Sequence, residues 1–188
     1  LSQRARTVGR WATSRAFDLV DEWRWDRMQR RVAHEVDRVV VCSQLDVERS
    51  GCPGAVVVPN GGDHVPDAVT DRAALRGEAP TLLFVGALDY EPNSEAVEWF
   101  VREVMPLITP RAPGTRVRIV GRGAEALGWV EDVPGVELVG RVPEIADELA
   151  RTDVSIVPIR VGAGTRLKVV EALANHLSLV TTTVGCEG

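Results

Sequence analysis

The chain has 188 residues, 45% of them apolar and 26% charged, which is enough for one globular domain and the margin of another and excludes disordered, collagenous and coiled-coil classes. A formal net charge of −5 argues against a nucleic-acid partner, because a phosphate backbone demands a basic surface. Cys42, Cys52 and Cys186 are odd in number and far apart, so neither a disulfide framework nor a zinc site is expected, and no apolar run approaches the ~20 residues of a membrane span.

From Arg10 to Val36 the spacing of Trp11, Phe17, Leu19, Val20, Trp23, Met28, Val32 and Val36 predicts a helix. Its surroundings are rich in arginine: Arg4, Arg6, Arg10, Arg15, Arg24, Arg27, Arg30, Arg31 and Arg38 all fall within residues 1–38. Such a segment serves either as a solvated helix face or as a peripheral contact with an anionic membrane. A short buried strand follows over residues 38–42, then a helix through Glu48 capped by Ser43. A second strand over residues 55–59 ends at Asn60-Gly61-Gly62-Asp63, a strong turn signal. Residues 66–80 have weak periodicity apart from a helix near Asp71 to Arg76 and read as a connection between domains.

Beyond Pro80 the rhythm becomes regular. Strands are predicted over residues 81–86, 116–121, 136–139, 153–158 and 179–183. Helical stretches separate them over residues 94–108, 124–129, 143–150 and 165–174. The first of these helices presents Ala96, Val97, Phe100, Val101, Val104 and Ile108 on one apolar face, and Asn93 or Ser94 reads as its cap. This alternation specifies the α/β class, a Rossmann-like parallel sheet with helices on both faces, whose ligands bind at the carboxyl ends of the strands. The chain opens at Leu1 inside an apparent helix and closes at Gly188 after a strand-like run, so we expect both ends to be cuts through a longer protein.

The most informative stretch is Val157-Pro-Ile-Arg-Val-Gly-Ala-Gly-Thr-Arg-Leu-Lys-Val-Val-Glu-Ala-Leu-Ala174. A strand, a turn with Gly162 and Gly164, and a helix in that order present backbone N–H groups and a positive helix end to an anion. Thr165 is expected to cap that helix and to offer its hydroxyl. Arg166 and Lys168 would then lie in the first turn, where a cation is disfavoured by roughly 0.3–1 kcal/mol unless an anion is present. Two such placements point to a diphosphate; alternatively they are solvent-facing charges, with Lys168 paired to Glu171. On the helix wheel Gly164, Lys168, Glu171 and Asn175 share one polar stripe, and Leu167, Val170, Leu173 and Ala174 are expected to face the core. Glu171, one turn behind the phosphate position, is placed to accept from ribose hydroxyls, or is an ordinary exposed glutamate.

The pattern Gly162-x-Gly-Thr-Arg-x-Lys-x-x-Glu-Ala-x-Ala174, followed by Val180-x-Thr182-x-x-Gly-x-Glu-Gly188, resembles the donor-binding signature of glycosyltransferase family 4. Phe84-Val-Gly-x-Leu88 with Pro92-Asn93 is similar to that family's first glycine loop. Val57-x-Pro-Asn-Gly-x-Asp63 resembles the segment leading into its donor domain. The resemblance implies a GT-B fold of two Rossmann-like domains. Residues 1–65 would end the amino-terminal, acceptor-side domain, residues 66–79 would connect, and residues 80–188 would form a truncated donor domain. It also implies retaining transfer of a sugar from a nucleotide-diphosphate sugar, with that donor as substrate and neither metal nor other cofactor. Arg166 and Lys168 would neutralise the diphosphate as the catalytic pair. Glu171 would hold the ribose, Gly164 and Thr165 would line the phosphates, and Gly86 would lie near the phosphates or the sugar. The turn Gly140-Arg141-Val142 would sit near the nucleobase, or be a plain strand-to-helix turn.

The departures are as informative. Many members carry a sugar-contacting glutamate eight residues before the position of Glu171, where this chain has Ala163. The family usually has Gly and Pro where this chain has His176 and Ser178, so a strained or reshaped turn is expected there. Asp89 and Tyr90 are further binding candidates at the ligand-facing edge; His64 reads as a surface turn residue. Three functions follow: a glycosyltransferase whose donor half this is, inactive as a fragment; a sugar-nucleotide epimerase; or a non-catalytic nucleotide-binding module. The partners implied are a nucleotide-diphosphate sugar and a glycan, lipid or small-molecule acceptor, in a reducing, cytoplasmic setting.

Overall fold

The computed structural model describes residues 15–52, 54–61, 77, 79–162 and 164–187. The chain divides into two compact units. The first holds residues 1–61, 161–166 and 187–188; the second holds residues 62–160 and 167–186. The expected helix at Asp71 to Arg76, His64, Ala163 and the arginines at positions 4, 6 and 10 lie outside the described residues.

In the first unit, helix α1 (Arg15–Glu35) precedes β1 (Val40–Val41), α2 (Gln44–Ser50) and β2 (Val56–Val57). The cap is as expected. The Ser43 hydroxyl oxygen accepts from the Asp46 backbone N–H at 3.1 Å, and Gly51 closes α2 at φ 65°. Strands β1 and β2 pair in parallel, Val40 with Val56 and Val41 with Val57. The expected burial of the first strand is not met: Val40 is 61% exposed. A two-stranded ladder has no third strand to widen it, so its apolar side chains find little cover among the described residues. On α1 the charges offset one another, with ion pairs Asp26–Arg30 and Arg31–Glu35 one turn apart.

The second unit is a five-stranded parallel sheet, β3 (Thr81–Val85), β4 (Arg116–Val120), β5 (Val136–Gly140), β6 (Val154–Val157) and β7 (Ser178–Thr181), in the order β5-β4-β3-β6-β7. Alternation along each strand sends Leu82, Phe84, Val117 and Ile119 into one core and Leu83 and Val120 into another, so helices cover both faces. The first core is closed by α3 (Glu91–Trp99), whose Ala96 and Val97 pack there with Phe100, Val101 and Met105. On the other face lie Leu149 of α4 (Ala146–Ala150) and Ala172 of α5 (Leu167–Ala174).

Helix α3 begins three residues before the expected start. Pro92 sits in its first turn, where its fixed φ and missing N–H cost nothing, and Tyr90 takes the cap position without a side-chain bond. Asn93 and Ser94 are therefore not caps. The helix runs on through a wide turn, Phe100–Val104, into Met105–Ile108. Within it the Met105 N–H reaches the Phe100 carbonyl. Pro106 explains the widening, since it removes a donor and its ring crowds the preceding turn.

Candidate functional site

The strand order locates the site. From β3 the chain steps to β4 and β5, then crosses back to place β6 on the opposite side of β3. The carboxyl ends of β3 and β6 flank this reversal, where a doubly wound sheet opens a crevice for ligands.

At that edge the loops after β3 and β4 meet backbone to backbone. Gly86 donates its N–H to the Val120 carbonyl at 2.9 Å, and Leu88 to that of Arg122 at 2.7 Å. Gly121 has φ 154°, and a Cβ on it would collide with the Gly86 carbonyl. Gly86 is itself a cradle. A Cβ there would stand 2.9 Å from Lys168 Nζ and 3.0 Å from the Asn93 amide carbon. Lys168 is thus brought to the first glycine loop from α5. It donates to Asn93 Oδ1 at 2.9 Å, and its ammonium lies 4.4 Å from the centre of the Phe84 ring.

Helix α5 corrects two expectations. It begins at Leu167, so Arg166 immediately precedes it and Lys168 alone occupies the first turn. Its buried side is also not the one expected. Leu167 and Leu173 are 60% and 57% exposed, whereas Ala172 and Asn175 are buried. The stripe of Lys168, Glu171 and Asn175 therefore turns inward with Ala172, and the leucines turn out. The period groups residues into faces but does not say which face is inside; at a ligand site the polar one can be. Glu171 is half-buried, and its carboxylate has no hydrogen-bond or ion-pair partner among the described residues. Burial pushes its pKa above the usual carboxylate value.

Gly164, Thr165 and Arg166 belong to the first unit. Gly164 takes φ 90° in open space. The expected cap is absent: the Thr165 hydroxyl oxygen is buried without a hydrogen-bond partner among the described residues. Arg166 folds back on the turn, its Nη2 2.9 Å from where a Cβ of Gly162 would stand, and Gly162 has φ 129°. Val142, the nucleobase candidate, is half-buried and packs on the cluster that includes Ala172 of α5. Asp89 pairs with Arg122 at 3.4 Å, and Tyr90 is exposed. His176 holds a left-handed conformation at φ 51° after α5, and its N–H donates to the Leu173 carbonyl at 3.0 Å. The turn keeps the shape a glycine would take, with a histidine in it.

The residue that sequence reasoning missed is Asn93. An asparagine just before an apolar helical stretch reads as a cap, and nothing in the local sequence links it to a lysine 75 positions away. Among the described residues no cluster of His, Cys, Asp and Glu is placed to hold a metal ion, and no helix is long and apolar enough to cross a membrane.

Comparison with known proteins adds a family. A family model described as glycosyl transferases group 1 matches residues 79–188. An uncharacterized 44.6 kDa protein in the cps region of Klebsiella pneumoniae is 26% identical over 116 residues, covering 57% of this chain and 30% of that protein. The chain thus spans about a third of this relative's length. Among solved structures, S. aureus TarM in complex with Fondaparinux, alpha-GlcNAc-glycerol and UDP superposes with TM-score 0.65 at 12% identity, over 82% of this chain and 31% of its own. Anabaena HepE in complex with UDP and glucose superposes with TM-score 0.60 at 13% identity, over 85% of this chain and 49% of its own. At such identities the likeness is one of fold.

Proposed function

The chain belongs to the glycosyl transferases of group 1, and from that premise we propose that it supplies the donor half of a retaining glycosyltransferase acting on a nucleotide-diphosphate sugar. One observation carries the assignment of the site. A half-buried carboxylate without a partner among the described residues, Glu171, shares the inward face of α5 with Lys168, whose ammonium lies over the first glycine loop. Burial disfavours an ionised carboxylate that accepts no hydrogen bond, and a ligand hydroxyl donated to it would relieve that penalty.

In this reading the ribose hydroxyls donate to Glu171, and Lys168 stabilises the charge that develops on the leaving diphosphate. Arg166, two residues earlier in the chain, is assigned the second positive charge. Gly86 leaves the room that the phosphates or the sugar need beside Lys168. Gly164 and Thr165 line the phosphates; Val142 is assigned to the nucleobase side. A nucleotide and sugars occupy the TarM and HepE structures, which supports UDP or a related diphosphate as the first ligand to test. Residues 1–65 are assigned to the end of an acceptor-side domain. The acceptor is a glycan, a lipid or a small molecule. For an anionic-membrane contact the net charge would have to come from Arg4, Arg6 and Arg10, because six arginines and six carboxylates balance over residues 15–38.

The test is calorimetric titration of the full-length protein with UDP, GDP and their sugars, followed by a turnover assay. Binding that weakens about tenfold or more in Glu171→Gln is the expected result. Absence of binding to any of these nucleotides rules the donor site out. Binding without turnover favours the second reading, a non-catalytic module, which Ala163 at the usual sugar-contacting glutamate position supports.

A further inference from the structure

Asn93 occupies a place that a helix cap does not explain. It is buried, at 9% exposure, at the third position of α3, and both ends of its amide are engaged. Nδ2 donates to the Ala87 carbonyl in the loop after β3 at 2.8 Å, and Oδ1 accepts from Lys168 Nζ at 2.9 Å. The first bond fixes which end of the amide faces the lysine, because a carbonyl can only accept. On its other side the ammonium rests on the Phe84 ring at 4.4 Å. Gly86 leaves the space in which amide, ring and ammonium meet.

We propose that Asn93 is the positioning residue of Lys168, holding its ammonium over Gly86 for an anionic ligand without cancelling its charge. The choice of asparagine is chemically specific. A carboxylate in the same place would hold the lysine more tightly but would neutralise it, leaving little charge for a diphosphate. An aliphatic residue would preserve the charge but release a flexible four-carbon chain from its geometry. A neutral acceptor whose orientation is set by a backbone carbonyl does both tasks. Phe84 adds attraction from a group that carries no net charge.

This rests on the donor-site reading for its ligand, and the experiment separates the two. In the full-length protein, affinities for UDP and uridine, and for GDP and guanosine, are measured for wild type, Asn93→Ala, Asn93→Asp, Lys168→Met and Asn93→Ala/Lys168→Met. We expect Asn93→Ala to weaken the diphosphate about tenfold and Asn93→Asp to weaken it more, with the phosphate-free nucleosides unchanged. In the Lys168→Met background, Asn93→Ala should cost no further affinity, since its effect passes through the lysine. Equal losses for diphosphate and nucleoside, a milder effect of Asp than of Ala, or additive losses in the double variant would each overturn the proposal. If wild type binds none of these ligands, the donor site falls instead. The pairing is then judged by thermal unfolding of the same cycle, where additivity refutes it and non-additivity upholds it. Should Asn93→Asp fail to fold, the alanine cycle decides alone.

Discussion

Two side chains in and beside α5 carry stored free energy of different kinds. Glu171 has its pKa raised by burial, so the folded state prefers it protonated. That preference favours folding fully below the unfolded carboxyl value near 4.5 and is lost as pH rises through the higher folded value. Glu171→Gln should therefore leave the unfolding midpoint at neutral pH unchanged or raised, with the difference shrinking as the pH falls toward 4, while nucleotide affinity drops. A variant less stable than wild type at pH 7 in calorimetry would show that the carboxylate is a structural partner instead. His176 holds φ 51° at a place where a glycine would meet no Cβ penalty. His176→Gly should raise unfolding free energy by about 1 kcal/mol, measured in urea, and an unchanged value would show that the left-handed turn carries no strain. Asn93 teaches the converse lesson. Its role became visible only when a proline shifted the helix start and freed its side chain from capping.

The element that sets the site is the pair of glycine loops after β3 and β4. Their backbones are in contact because Gly121 has no side chain to keep them apart. Gly121→Ala should cost about 2–4 kcal/mol in chemical denaturation, since the new Cβ meets the Gly86 carbonyl and the φ of 154° suits only glycine. An unchanged midpoint would mean that the loops part easily. Helix α5 shows where sequence periodicity stops. Its residues fall into two faces as the wheel predicts, but the polar face is the inner one. Apolar-inside is a rule about burial in a core. In the donor-site reading the inner face carries the groups that meet a charged ligand, and Leu167 and Leu173 are left outside.

At the scale of the whole second unit, the face of the sheet under α4 is tied by charge. Arg118 of β4 donates to Glu148 of α4 at 2.8 Å and also pairs with Glu137 of β5. The bond to Glu148 is the main reason its own pKa is raised. Arg118→Met would strand Glu148, which is 6% exposed, and should cost about 3 kcal/mol by thermal unfolding. Adding Glu148→Leu should restore most of that loss, because the pair removed together leaves no buried charge behind. Failure of the second change to restore stability would mean that the helix needs the bond itself. The sequence alone determined the α/β class and the place of the five strands after Pro80, and it named the lysine and glutamate on which the donor-site proposal rests. Those features are written in local patterns: apolar runs, turn residues and the spacing of charges along one helix. Tertiary structure alone decided which face of α5 lies inward, that Lys168 meets Asn93 and Phe84, and that Glu171 has no partner among the described residues. These depend on segments far apart in the chain, and only the folding of the sheet sets the distance between them.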